Sequence, residues 1–214
     1  SESELCPEDL LREQELAFER DIAKLKARSD EFVRVSCPAC SSDHFVPVFQ
    51  KYSFEFQSCT ICQTIFMSPR PSEDIMASYY ANSENYAYWA KYIFPASEDT
   101  RREKIHKPWL KRVLQYCRQF KISTKTLLEV GPGFGTFSSV ATESGAFDRV
   151  VAIEPTPELA AACRERGVEV IQSRIEEIGS QIRDIDVVVA FEVIEHLFDP
   201  RVFIEAIKPC MSER

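Results

Sequence analysis

Two cysteine hooks, Cys37-Pro-Ala-Cys40 and Cys59-Thr-Ile-Cys62, stand on either side of residues 41–58. Thiolates are soft ligands, and two such hooks supply four sulfurs to one tetrahedron. The spacing predicts a zinc site on Cys37, Cys40, Cys59 and Cys62. A redox dithiol is the alternative reading. His44 lies between the hooks and reads as a surface residue. Glycine often follows the second cysteine of a hook, and here Ser41 and Gln63 stand there. The remaining cysteines, Cys6, Cys117, Cys163 and Cys210, are scattered and read as ordinary thiols.

A second chemistry is written in "TLLEVGPGFGTF", residues 126–137. Gly131-Pro132-Gly133-Phe134-Gly135 follows an apolar run and precedes a helical pattern. Glycine lets a backbone turn tightly and approach a ligand without a Cβ in the way. A dinucleotide fingerprint needs Gly-x-Gly-x-x-Gly, but position 136 is Thr. A P-loop needs Gly-Lys-Ser/Thr, which is absent. Glu129 lies just ahead of the loop, and "RVVAIEP" ends in Glu154 and Pro155. A carboxylate at the tip of a second parallel strand can accept both ribose hydroxyls of a nucleoside, a feature shared with NAD enzymes. Further on, "FEVIEHLFDP" carries Glu192, Glu195 and His196. Histidine titrates near neutrality and suits a general base. His196 is the first candidate and Glu195 the second; capping or packing of the next helix is the competing role for His196.

These residues need elements to hold them. Residues 7–30 predict an amphipathic helix, with Leu11, Phe18, Ile22 and Leu25 on one stripe. It packs on its own protein or dimerises. Residues 31–71 read as short strands around the cysteines, closed by Pro69 and Pro71. Residues 72–122 predict a helical connector. Its aromatics Tyr79, Tyr80, Tyr86, Tyr88, Trp89 and Tyr92 form a lid or sugar-stacking wall, or pack between helices. Its basic stretch 101–118 is a solvated face or an RNA-binding one. From residue 123 the pattern alternates, with strands at 126–130, 149–154, 168–172 and 185–191. Helices are expected at 134–144 and 157–166, with another from Pro200. Such alternation means a parallel sheet with helices on both faces.

Among the 214 residues, 44% are hydrophobic, enough for a real core. The net charge of −8 argues against a broad electrostatic grip on nucleic acid. No apolar run approaches the roughly 20 residues of a membrane span. The acidic start "SESELCPEDLLREQ" lacks the pattern of a signal peptide. The expectation is a soluble, cytoplasmic protein.

Taken in order, "LLEVGPGFGTF", "VVAIEP" and "DVVVAFEVIEHLFDP" resemble the motifs of class I S-adenosylmethionine-dependent methyltransferases, over roughly 125–209. The resemblance implies a Rossmann-like α/β fold whose strands run in the order 3-2-1-4. It implies that the glycine loop with Glu129 and Phe134 packs on the methionine part of the cofactor. Glu154 inherits the ribose, "QSRIEEI" with Arg174 and Ile175 the adenine, and Phe191 and Glu192 the methionine pocket. Many relatives have an acid where Arg174 stands, which leaves the backbone near Ile175 as the adenine contact. "CTICQTIFMSPRP" followed by "YY" resembles the zinc module fused to methyltransferases of sugar and surface-polysaccharide biosynthesis. That implies a small-molecule acceptor, such as a nucleotide-linked sugar. An RNA methyltransferase and an inactive cofactor-binding fragment are the rival readings. The resemblance stops after the fourth strand. A C-terminally truncated domain is therefore expected, or a homo-oligomer covering that strand's open edge.

Overall fold

The structure is a computed structural model and describes residues 5–212. The chain divides into two units, Ser1–Ser97 and Glu98–Arg214.

The first unit opens with helix α1, Glu8–Lys26, with acids in its first turn and lysines in its last. That placement complements the helix dipole. Its buried line differs from the expected stripe. Ala17 and Asp21 are buried, while Leu11 is 37% exposed. The cause is a carboxylate. Asp21 Oδ2 accepts from Ser83 Oγ at 2.6 Å and from the Asn85 amide at 3.0 Å. Its Oδ1 accepts from the Glu84 amide at 3.2 Å. These donors open the short helix α3, Glu84–Tyr88, which follows α2, Glu73–Asn82. A buried carboxylate must be paired, so Asp21 joins the inward face, on which Phe18, Ile22 and Leu25 of the expected stripe are half-buried. Between α1 and α2 lies an antiparallel sheet in the order β1-β2-β3: Phe45–Lys51, Phe54–Cys59 and Ile65–Met67. Phe45 and Phe66 meet edge-on at 5.3 Å behind the buried Cys37 and Cys59. After a π-helical turn at Trp89–Ile93, helix α4, Phe94–Arg101, leads into the second unit.

A second π-helical turn, Arg102–His106, precedes α5, Lys107–Phe120. Then come β4 (Thr126–Val130), α6 (Thr136–Ser144), β5 (Arg149–Ile153), α7 (Pro157–Glu165) and β6 (Glu169–Ile171). Helix α8 (Ile175–Ile178), β7 (Val187–Val189) and α9 (Pro200–Ile207) complete the unit. The strands pair in parallel in the order β6-β5-β4-β7. This is the 3-2-1-4 arrangement expected of the Rossmann-like α/β class. β4 reads as an apolar run because both faces are covered. Leu127 packs with Leu110, Phe137 and Val140 on one side. Leu128 packs with Val151, Ile175 and Phe203 on the other. Both leucines are fully buried.

The edge expected to be bare at the fourth strand is met in part. Beyond α9, Met211 forms a parallel bridge to Ile185, just ahead of β7. The Ile185 amide donates to the Cys210 carbonyl at 3.0 Å, and the Ser212 amide to the Ile185 carbonyl at 2.9 Å. Among the described residues, no helix is long and apolar enough to cross a membrane.

Candidate cofactor crevice and thiol cluster

β4 delivers its chain to the crevice through three left-handed glycines, with φ of 73° at Gly131, 56° at Gly133 and 77° at Gly135. They answer two different demands. A Cβ on Gly131 would lie 2.7 Å from Val193, and one on Gly135 would lie 2.8 Å from the Cys163 sulfur. A Cβ on Gly133 would meet nothing within 4 Å. Two of the glycines thus fit the loop to its own protein, while Gly133 faces open space. Pro132 and Phe134 fill the loop between them, and the Gly135 amide closes it by donating to the Pro132 carbonyl at 2.9 Å.

Two buried carboxylates stand beside this loop. Glu129, on β4, is 3% exposed, and Glu154, just past β5, is 4% exposed. Burial pushes Glu129 up to about 7, the hydrogen bond from Ser138 opposes the rise, and the Glu154 charge adds to it. Glu154 is also raised by burial, against hydrogen bonds from Thr156 and from the Gly133 backbone. The Thr156 amide donates to Glu154 Oε1 at 2.9 Å. Strand termini and loop therefore converge on two acids and a glycine with empty space before it. That is the expected ligand crevice of an open parallel sheet.

The other expected site residues are spread around this centre. Pro155 is exposed beside Glu154. Arg174 caps α8 with an exposed side chain, 3.6 Å from Glu176. The Ile175 side chain is buried in the core, so only its backbone is free to meet a ligand. Phe191 lies face-on to Trp109 at 4.3 Å and edge-on to Phe137 at 4.7 Å. Glu192 is exposed and left-handed at φ 55°. In a residue with a Cβ, such a backbone is uncommon and is found at functional sites more than elsewhere. Glu195 and His196 are exposed on the short 3-10 turn Ile194–His196.

Sequence reasoning missed Ser138, whose hydroxyl is bonded to Glu129. It also missed Val193 and Cys163, which set two of the glycines, and Trp109, which backs Phe191. Glu129 with Ser138 is legible in retrospect as an acid on a strand and a hydroxyl on the first turn of the following helix. The packing partners of the glycines are not, because they depend on tertiary contacts.

In the first unit, four sulfurs lie within 4.8 Å of one another: Cys37 and Cys59, buried, and Cys40 and Cys62, exposed. Cys37–Cys62 and Cys40–Cys59 are each 3.5 Å apart. A tetrahedral zinc with bonds of 2.3 Å needs sulfur–sulfur edges of about 3.8 Å, so the set fits the ion. The two hooks repeat one backbone pattern. The Ser41 amide donates to the Cys37 carbonyl at 2.8 Å, and the Gln63 amide to the Cys59 carbonyl at 2.9 Å. Ser41 and Gln63 are both left-handed, at φ 63°. The Thr64 hydroxyl and amide pull the Cys62 thiol down to about 6, while, against a backbone hydrogen bond at Ser42, the neighbouring thiols push Cys40 up to about 12, so without an ion the cluster shares protons among its sulfurs.

The comparisons with known proteins agree with the fold. No curated protein matches the chain. The plantazolicin methyltransferase BpumL in complex with SAH aligns with a TM-score of 0.52 at 15% identity, over 64% of this chain and 52% of that one. The same enzyme with a pentazolic desmethylPZN analog and SAH gives 0.50 at 16% identity, with the same coverage. An S-adenosylmethionine-dependent methyltransferase from Clostridium acetobutylicum gives 0.46 at 14%, over 58% of this chain and 54% of that one. The chain spans about half the length of these structures. A family model described as a methyltransferase domain matches residues 100–214, just over half of the sequence, and the chain belongs to that family.

Proposed function

We propose that residues 123–214 bind S-adenosylmethionine and transfer its methyl group, and that residues 31–71 form a zinc module. The observation that carries the first claim is the pairing of an unobstructed Gly133 with two buried carboxylates at the ends of adjacent strands. When bound, S-adenosylmethionine supplies a sulfonium methyl, an electrophile that needs only an aligned nucleophile. In this reading Glu154 exchanges its Thr156 contact for the ribose hydroxyls. Gly131, Pro132, Gly133, Phe134 and Gly135 hold the methionine part, with Glu129 behind them. Pro155, Arg174 and the backbone of Ile175 border the adenine. Phe191 and Glu192 wall the methyl, while His196, or else Glu195, takes the acceptor's proton.

Cys37, Cys40, Cys59 and Cys62 would hold Zn2+, and the ion would cross-link a module with little apolar core of its own. Zinc-bound thiolates belong in a reducing compartment, which supports a cytoplasmic protein. The acceptor we propose is a small molecule, such as a nucleotide-linked sugar, on the resemblance of the cysteine module. An RNA acceptor has one observation in its favour. Lys111 and Arg118 have no carboxylate partner among the described residues, and they line a groove of about 410 Å³ in the second unit. The two acceptors separate by salt: RNA affinity falls steeply between 50 and 200 mM.

Calorimetry with S-adenosylhomocysteine tests the cofactor. Gly133→Val fills the open space on a left-handed backbone and is expected to weaken binding while the fold, read by circular dichroism, is retained. Equal affinity in the variant and the unaltered chain would remove the crevice from consideration.

A further inference from the structure

We infer that His106 recognises the carboxylate of the cofactor bound in the crevice of the parallel sheet. The inference rests on the cofactor reading above and adds a residue that reading does not use. His106 Nδ1 is buried and has no hydrogen-bond partner, and it is the one side-chain atom of that kind among the described residues. Buried polar atoms are almost always paired, and an exception calls for a partner supplied from outside the chain.

The surroundings indicate which partner. The His106 ring stands edge-on to Trp109 at 5.3 Å. Trp109 lies on Phe191, and Phe191 meets Phe137. Phe191 follows β7 at its carboxyl end, and Phe137 is the second residue of α6, directly after the glycine loop. The aromatic line therefore runs from His106 to two residues whose backbone flanks the carboxyl end of the sheet, with the Phe137 ring buried in the core beneath the loop. His106 also closes the π-helical turn Arg102–His106. Such turns shift the register of a helix and are frequent at functional sites.

Charge narrows the ligand further. Burial holds the imidazole neutral down to about 4, the Arg101 and Arg102 guanidiniums add to that effect, and Glu98 opposes it. A neutral ring carries one N–H, which its Nδ1–H tautomer offers to an acceptor, and the neighbouring guanidiniums favour an oxygen anion over an ammonium there. Arg102 is already bound to Glu143. His106 Nδ1 is thus the buried atom here with unused capacity, and a carboxylate oxygen matches it.

The test uses the whole chain with nitrogen-15 in its histidine rings. S-adenosylhomocysteine and its decarboxylated analogue are added separately. The expected result is that S-adenosylhomocysteine moves the His106 Nδ1 resonance and the analogue leaves it in place. By calorimetry, His106→Phe should bind S-adenosylhomocysteine about tenfold more weakly, the scale of one hydrogen bond to a charged group. It should bind the analogue as the unaltered chain does, and His106→Gln, which keeps a donor, should recover part of the loss. An Nδ1 signal that is unmoved, or moved equally by both ligands, overturns the assignment without any variant. Equal affinity of His106→Phe and the unaltered chain for S-adenosylhomocysteine overturns it too and leaves the cofactor reading standing. Failure of the unaltered chain to bind S-adenosylhomocysteine at all overturns both.

Discussion

The thiol module and the parallel sheet both use left-handed backbone to shape a site, but they supply it differently. In the sheet loop the left-handed positions are Gly131, Gly133 and Gly135. In the hooks they are Ser41 and Gln63. The sheet loop is fixed by its own core, with Leu127 and Leu128 fully buried on opposite faces of β4. Around the hooks the buried core is Cys37, Cys59 and Phe66. A scaffold with a large core keeps its site without a ligand, and its loop residues are free to be those the ligand requires. A scaffold with a small core depends on what it binds, and it tolerates strained residues because ligation outweighs them. This contrast orders the expected effects of mutation.

The largest effect falls on the hooks. Cys59→Ser removes a buried thiol of the proposed zinc site, and structural zinc sites contribute roughly 10–16 kcal/mol to small modules at neutral pH. Metal analysis should find about one zinc per chain in the unaltered protein and little in the variant. Amide exchange should speed up across residues 31–71 and stay slow in β4 and β5. A variant that keeps both its zinc and its slow exchange would make the module a self-sufficient fold.

The next effect is in the sheet. Glu129 is raised to about 7 by burial, above its value in the unfolded chain. A carboxyl raised in this way contributes stability that is fully present below pH 4.5 and is lost as pH rises through 7. Glu154 is shifted in the same direction. The Glu129 shift amounts to about 3 kcal/mol. Urea unfolding of the sheet unit is expected to show falling stability from pH 5 to pH 8, and Glu129→Gln should flatten most of that slope. A slope unchanged by the substitution would mean that the pH dependence lies elsewhere.

Below that comes Glu154, the proposed ribose ligand. Glu154→Ala should weaken S-adenosylhomocysteine by roughly 1.5–3 kcal/mol, the range for hydrogen bonds to a charged group. Calorimetry decides, and an unchanged affinity would detach Glu154 from the ligand.

The two regions also differed in how far they were legible in the sequence. Apolar runs covered on both faces, separated by helical patterns, carried the sheet and its strand positions, while the strand order came with the family resemblance. Cysteine spacing carried the grouping of the four sulfurs. The α1 face was legible in Phe18, Ile22 and Leu25, which are half-buried, but the inward Asp21 is invisible to hydrophobic periodicity and is explained only by the amides of residues 84 and 85, far along the chain. The Trp109–Phe191 stack and the unpaired His106 were hidden for the same reason. Periodicity shows which face is buried against something. It does not show against what, nor which polar atom is left over.

The smallest effect is the sharpest test of the contrast. A left-handed residue with a Cβ costs roughly 1–2 kcal/mol relative to glycine in the folded state. Glycine loses more backbone entropy on folding, which takes back about 0.5–1 kcal/mol. Ser41→Gly and Gln63→Gly should therefore each stabilise the module by a few tenths to about 1 kcal/mol. The Ser41 and Gln63 amides that close the hooks remain in place in both variants. The opposite change in the sheet loop, Gly135→Ala, meets a left-handed φ and the Cys163 sulfur together, so it should destabilise clearly. The measurement for the hooks is zinc release by a graded chelator, because the proposed ion would couple to the module's stability. Slower release in both glycine variants is the expected result. Faster release would mean that the Ser41 and Gln63 side chains brace the thiolates, and strain would no longer separate the two regions.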